Sequence, residues 1–93
     1  MTTDFETIEK EKIRSLHFPK ADVLDDKQAK HERESELNRA LALGNLEHSK
    51  IKIFFEDDLS KKVVETTVWG VTDDRIILKQ GSSIPINRIY KSL

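Results

Sequence analysis

The sequence predicts a small α+β protein, mainly β: five short strands forming a strongly bent barrel over residues 50–93, preceded by one or two helices. Three observations carry this. Lys50 to Leu93 holds most of the β-branched residues, the only Trp and the only Tyr. Polar turn signals at Glu56-Asp57-Asp58, Thr72-Asp73-Asp74 and Gln80-Gly81-Ser82 cut that stretch into strand-length pieces. Ahead of it, Leu37, Ala40, Leu41 and Gly44 form a narrow apolar stripe at helical spacing.

From the start of the chain, Thr3-Asp4-Phe5-Glu6 fits a capping box, with Thr capping a helix start and Glu reaching back. Phe5, Ile8, Ile13 and Leu16 then fall roughly on one side of a short helix. Phe18-Pro19 ends it, because a residue before proline avoids the α region. A helix of that length is marginal in water, so residues 1–24 form a weakly helical or flexible segment that either docks or frays. Residues 25–93 form the domain proper. Asp25 or Asp26 caps a second helix running to about Leu43. Its front half is almost wholly polar and is expected to project into water, with docking left to the last two turns. Gly44-Asn45 is the expected left-handed cap.

Ile51, Ile53 and Phe55 alternate with Lys52, Phe54 and Glu56, the period of a strand. Val63 to Val71 reads as one long strand. Val64, Thr66, Val68 and Gly70 lie on one face, Glu65, Thr67, Trp69 and Val71 on the other, and Gly70 marks a bend or bulge. Arg75–Lys79 and Ser83–Ile86 are the third and fourth strands, with Pro85 placing the fourth at an edge or kink. Asn87-Arg88 makes a 3₁₀ turn before a last strand, Ile89–Ser92. Closing five such strands removes most of the edges that would otherwise aggregate.

The 93 residues carry 16 Lys and Arg against 17 Asp and Glu, a net charge of −1. From Lys52 onward seven basic residues face six acidic ones, so the barrel too is near balance. That weighs against nucleic acid as the partner, because neutralised phosphates supply most of such affinity. The chain has no Cys, which removes disulfide and thiolate chemistry. No apolar run approaches membrane-spanning length and the start lacks an apolar signal core, so a cytoplasmic protein without membrane contact is expected.

Val63-Val64-Glu65-Thr66-Thr67-Val68-Trp69-Gly70-Val71-Thr72-Asp73-Asp74-Arg75-Ile76-Ile77-Leu78 resembles the middle of an Sm-like or SH3-like barrel. Gly81-Ser82-Ser83-Ile84-Pro85-Ile86-Asn87-Arg88-Ile89 is similar to the last hairpin and 3₁₀ turn of such barrels, and a helix ahead of the first strand is Sm-like. The likeness covers roughly residues 35–93 and lies at the level of the fold. The whole chain also resembles short bacterial proteins of about this length. Sm and Hfq-type proteins carry an earlier glycine in the second strand, where Glu65 or Thr66 stands here. Their RNA-contacting Asn, or the Hfq Lys-His pair, is replaced by Asp73-Asp74-Arg75 and by Ile86-Asn87. Their uridine-binding residues therefore do not transfer, and fold likeness alone transmits no function.

The candidate binding surface is Phe54, Trp69, Arg75, Lys79, Arg88 and Tyr90. Trp69 and Phe54 either form an exposed aromatic platform or are covered by the second helix through Leu37 and Leu41. The bases Lys52, Lys61, Lys62, Arg75, Lys79, Arg88 and Lys91 either converge as a phosphate-binding face or guard strand edges. Glu56-Asp57-Asp58 with Asp73-Asp74 lacks the spacing of a calcium loop and reads as turn residues. His31 with Glu34 is a two-ligand pair and not a metal site, and His17 and His48 have no evident partners. No nucleophile or acid–base group has an orienting partner at a recognisable spacing. The expectation is a non-enzymatic binding module without cofactor, metal or small-molecule substrate. It contacts a protein partner or itself, with RNA binding of the Sm kind as the alternative.

Overall fold

The structure is a computed structural model and describes residues 5–93. In order, the chain forms β1 (Glu6–Thr7), a 3₁₀ turn (Lys10–Ser15), α1 (Lys27–Glu47), β2 (Ile51–Glu56), β3 (Lys61–Thr66), β4 (Val68–Val71) and β5 (Arg75–Leu78). A 3₁₀ turn (Lys79–Gly81), β6 (Ser83–Pro85), a third 3₁₀ turn (Ile86–Arg88) and β7 (Ile89–Ser92) complete it. The result is α+β, with one long helix and seven strands in two sheets among the described residues. One sheet has the order β1-β3-β2-β7, the other β4-β5-β6.

The five-strand, closed or nearly closed barrel expected from the sequence is corrected in its strand number, and no closed barrel forms among the described residues. Val63–Val71 does not run as one strand; it breaks at Thr67, which is buried and donates its hydroxyl to His48 O at 3.4 Å. The break sends β3 and β4 into different sheets. The seventh strand is β1, where a helix was expected. No ladder joins β7 to β4 or β6, so the two sheets do not close on each other. Instead α1 packs against both β4 and β7.

Inward residues obey the period of two. Ile53, Phe55, Val64, Val68, Ile76, Leu78, Ile84 and Ile89 are buried, and α1 adds Leu37 and Ala40 to the same core. The β2–β3 hairpin holds a regular antiparallel register from Ile51↔Thr66 to Glu56↔Lys61. Two later pairings slip. Val68↔Leu78 is followed by Gly70↔Ile77, leaving Trp69 as an extra residue. Phe54↔Lys91 is followed by Phe55↔Ile89, leaving Tyr90 likewise. Such bulges re-aim the side chain of the extra residue.

Helix α1 starts where expected, with the Asp26 side chain accepting from Ala29 N at 2.9 Å. It ends later. His48, not Gly44, takes the left-handed conformation (φ 54) and donates its N–H to Gly44 O at 3.1 Å. Gly44 is a packing residue, buried where the helix crosses the carbonyl of Val68. The polar front does not simply project into water either. Arg33 is 6% exposed, extends the buried stripe one turn back from Leu37, and binds Asp22 through both terminal nitrogens at 2.9 and 3.0 Å. It also donates to Ile89 O at 3.0 Å, while Glu36 accepts from Ser92 N at 3.1 Å. The helix thus supplies partners for backbone groups along the outer edge of β7, one established way of covering a sheet edge.

The segment ahead of α1 docks along the domain. The Thr3 capping position lies outside the described residues, and Phe5–Leu16 forms β1 and a 3₁₀ turn in place of the expected helix. Ile13 is 2% exposed. Arg14 donates to Gln80 O at 3.0 Å, Asp58 N to His17 O at 2.9 Å, and Val23 N to Asn87 O at 2.9 Å. No helix among the described residues is long and apolar enough to cross a membrane.

Candidate interaction surface

The six candidate residues fall into three places. On the second sheet Ile76, Leu78 and Ile84 turn inward, so their strand neighbours turn out. Ile77 pairs with Gly70 and Ser83, and Arg75 pairs with Pro85. This outer face therefore carries half-buried Ile77 and Pro85, exposed Arg75, and Trp69 at the bulge. Trp69 is 53% exposed. Among the described residues no ring packs against its indole, and α1 leaves more than half of it in solvent. Arg75 donates to Ser83 Oγ at 2.9 Å and lies 3.8 Å from Asp74. Lys79, two residues beyond Ile77, is exposed.

Phe54 and Tyr90 belong to the outer face of the first sheet, so Phe54 and Trp69 do not share a platform. The ring of Phe5 packs on Phe54 edge-on at 5.0 Å and meets Tyr90 edge-on at 5.7 Å. Lys61 Nζ lies 5.9 Å from the Phe5 ring and 5.5 Å from Tyr90, and Lys91 Nζ 5.2 Å from Phe54. A groove of about 300 Å³ runs beside this cluster between Phe5, Thr7, Lys52, Phe54, Val63 and Glu65.

Tyr90 also donates to Glu56 Oε1. Burial, then the hydrogen bond and charge of Glu56, push its phenol up to about 12. As the only tyrosine, it gives a clean absorbance titration: phenolate is expected near pH 12, and at lower pH in Glu56→Gln. A midpoint at the ordinary value of 10 in both proteins would overturn this environment.

Arg88 is corrected from surface residue to strut. It is buried and donates to three backbone carbonyls: Ala21 O at 2.7 Å, Glu56 O at 3.0 Å and Asp57 O at 3.4 Å. Lys62 is likewise buried, bonded to Asp57 Oδ1 at 2.9 Å. The acidic turns are spoken for locally. Asp57 Oδ1 also accepts from Leu59 N and Ser60 N, and Asp74 accepts from the Thr72 hydroxyl. Among the described residues no three His, Asp or Glu side chains converge as a metal site would require. Phe5 and Ile77 escaped the sequence as surface residues, as did the bulge at Tyr90, whereas the bulge beside Gly70 is one of the two outcomes that glycine signalled. The period of two placed Trp69 and Tyr90 on strands, but the register slips exist only between strands.

Comparison with protein-family models, curated protein sequences and solved structures found no match to this chain.

The arrangement offers two outward sheet faces with aromatic content. One bears a half-exposed indole and, on the same face, apolar and basic side chains. The other bears rings already engaged with lysines.

Proposed function

We propose that this chain is a cytoplasmic, non-enzymatic binding module that engages a protein partner through the outer face of the second sheet. The observation that carries the reading is Trp69, 53% exposed at a bulge, on the face that also carries Ile77, Arg75 and Pro85. A large ring with an apolar body and one polar N–H suits a contact hot spot. Strand order supports an Sm-like or SH3-like kinship: β2, then β3 and β4 on either side of the break at Thr67, β5, β6, a 3₁₀ turn and β7 follow one another as expected for such barrels.

Trp69→Ala is expected to leave the melting temperature nearly unchanged, since half-exposed surface positions move stability by only about 0.5 kcal/mol. Partner affinity should fall by about thirtyfold or more, the scale of a hot-spot truncation. A crosslinking pulldown with both proteins checks this. An unchanged partner list would remove this surface from consideration.

RNA binding remains the second reading, favoured by Lys61 and Lys91 set over the rings of the first sheet. It requires oligonucleotide affinity that falls steeply with salt. No binding at low salt would exclude it. Ring assembly through β7 is disfavoured, because Arg33 and Glu36 already bond its edge.

A further inference from the structure

Residues Phe5–Ile8 sit on the domain in the way a bound peptide would. They add a parallel strand to the outer edge of β3 in the register Glu6↔Lys62 and Thr7↔Val63, and Ile8 N donates to Val63 O at 3.0 Å. The Phe5 ring lies edge-on to Phe54 and Tyr90, beneath Lys61. This attachment covers two of the six residues of β3, after which the chain turns away into the 3₁₀ turn anchored by Ile13. The groove beside Phe5 continues past that point along β3, towards Lys52 and Glu65. A strand that ran straight on would therefore reach further along β3 than the chain's own segment does. In the sequence the aromatic is flanked by acids, Asp4-Phe5-Glu6, and two lysines stand at the site: Lys61 over the Phe5 ring, and Lys52 in the groove with its cross-strand partner Glu65.

We propose that the outer edge of β3 and the Phe54–Tyr90 surface form a strand-addition site. Its occupant is an extended segment of a partner protein with an aromatic side chain between acidic residues. Phe5–Ile8 holds the site in cis until such a segment displaces it. Main-chain ladder bonds give affinity in this mode and the aromatic position gives specificity. The site lies on the other sheet from Trp69, so it stands or falls independently of the surface proposed above.

The probe is a synthetic peptide with the sequence of residues 2–9, titrated into the full chain and into its Phe5→Ala variant, with amide and ring shifts followed by NMR. Removing two edge-on ring contacts weakens the cis segment by about ten- to hundredfold. A site occupied in cis reports a correspondingly weakened apparent affinity. The variant is therefore expected to bind the peptide at least about tenfold more tightly than the unmodified chain, with shifts at Phe54, Val63 and Tyr90. The peptide with Ala in place of its Phe should not bind. Failure of the folded variant to bind would overturn the proposal, as would equal binding of the Ala peptide. Formation of a dimer that Phe5→Ala abolishes would also overturn it, by making a second copy the occupant. A measurement on the unmodified chain guards against a variant that unfolds. The Ile8 amide should exchange with solvent well before the β2–β3 ladder amides, through local release of the segment. Exchange as slow as that ladder would show that the segment does not leave, and would overturn the proposal.

Discussion

Gly44→Ala is expected to destabilise the protein by about 3 kcal/mol, the upper end of what an overpacked methyl inflicts on a well-filled interior. Helix propensity points the other way, since alanine in a helix interior is favoured over glycine by about 1 kcal/mol. Packing decides the sign. A Cβ at position 44 would press inside contact distance of the Val68 carbonyl oxygen and lie 3.2 Å from Thr67 Cγ2. The first of these is strand backbone, which cannot rotate aside. The strand and helix would have to part, and with them the contact that holds α1 over β4. For a domain of this size the melting temperature should fall by more than about ten degrees. Thermal and urea denaturation check this. A variant as stable as the parent, or more so, would show that helix propensity outweighs the close approach.

The second large effect is expected at the turn between β2 and β3. The Asp57 side chain is 1% exposed. Burial by itself would raise its carboxyl. The Lys62 ammonium and the N–H groups of Ser60 and Leu59 outweigh burial and hold it below the ordinary value of 3.8. Lys62→Met removes the cation bonded to this carboxylate and leaves a buried charge. A loss of about 3–5 kcal/mol is the usual outcome of breaking such a pair from one side. The double variant Asp57→Asn with Lys62→Met should recover much of it, because neither residue is then charged. A double variant less stable than Lys62→Met would sink the argument.

The same pair has a pH signature. A carboxyl lowered in the folded state contributes stability that is fully present above 3.8 and is lost as pH falls through its folded value. Asp22 behaves likewise. Burial opposes the bonds from Arg33 and Leu24 N, and the bonds prevail, so its carboxyl is also lowered. Acid should therefore weaken the parent protein below the ordinary aspartate range. The gap between parent and Lys62→Met should narrow there, since a protonated Asp57 no longer needs the ammonium. Denaturation series at neutral and acid pH measure this. A gap that stays constant would mean that Lys62 acts through packing alone.

Where local residue order alone decides an outcome, the sequence is a reliable guide. Alternation of Ile51, Ile53 and Phe55 with polar neighbours determined both that β2 is a strand and which face is buried. Asp26 as the cap of α1, the turns at Asp57–Ser60 and Lys79–Gly81, and the 3₁₀ turn before β7 follow from the same short-range chemistry. So does the α+β class, with a long helix ahead of β2.

What tertiary structure decided is of another kind. Gly44 carries a valid cap signal, yet it is the last buried residue of α1, where close packing on the Val68 carbonyl claims the missing side chain, and the left-handed cap falls on His48. Arg33 sits in a polar run, and only the approach of Asp22 and the β7 edge makes its burial tolerable. Phe5 fits a helix pattern, but Phe54 and Tyr90 offer it ring contacts that an isolated helix of that length could not match. Trp69 and Tyr90 are the extra residues at one-residue slips between strands. Register is a property of two strands at once, set by which pairs bury best, and no single stretch of chain contains it.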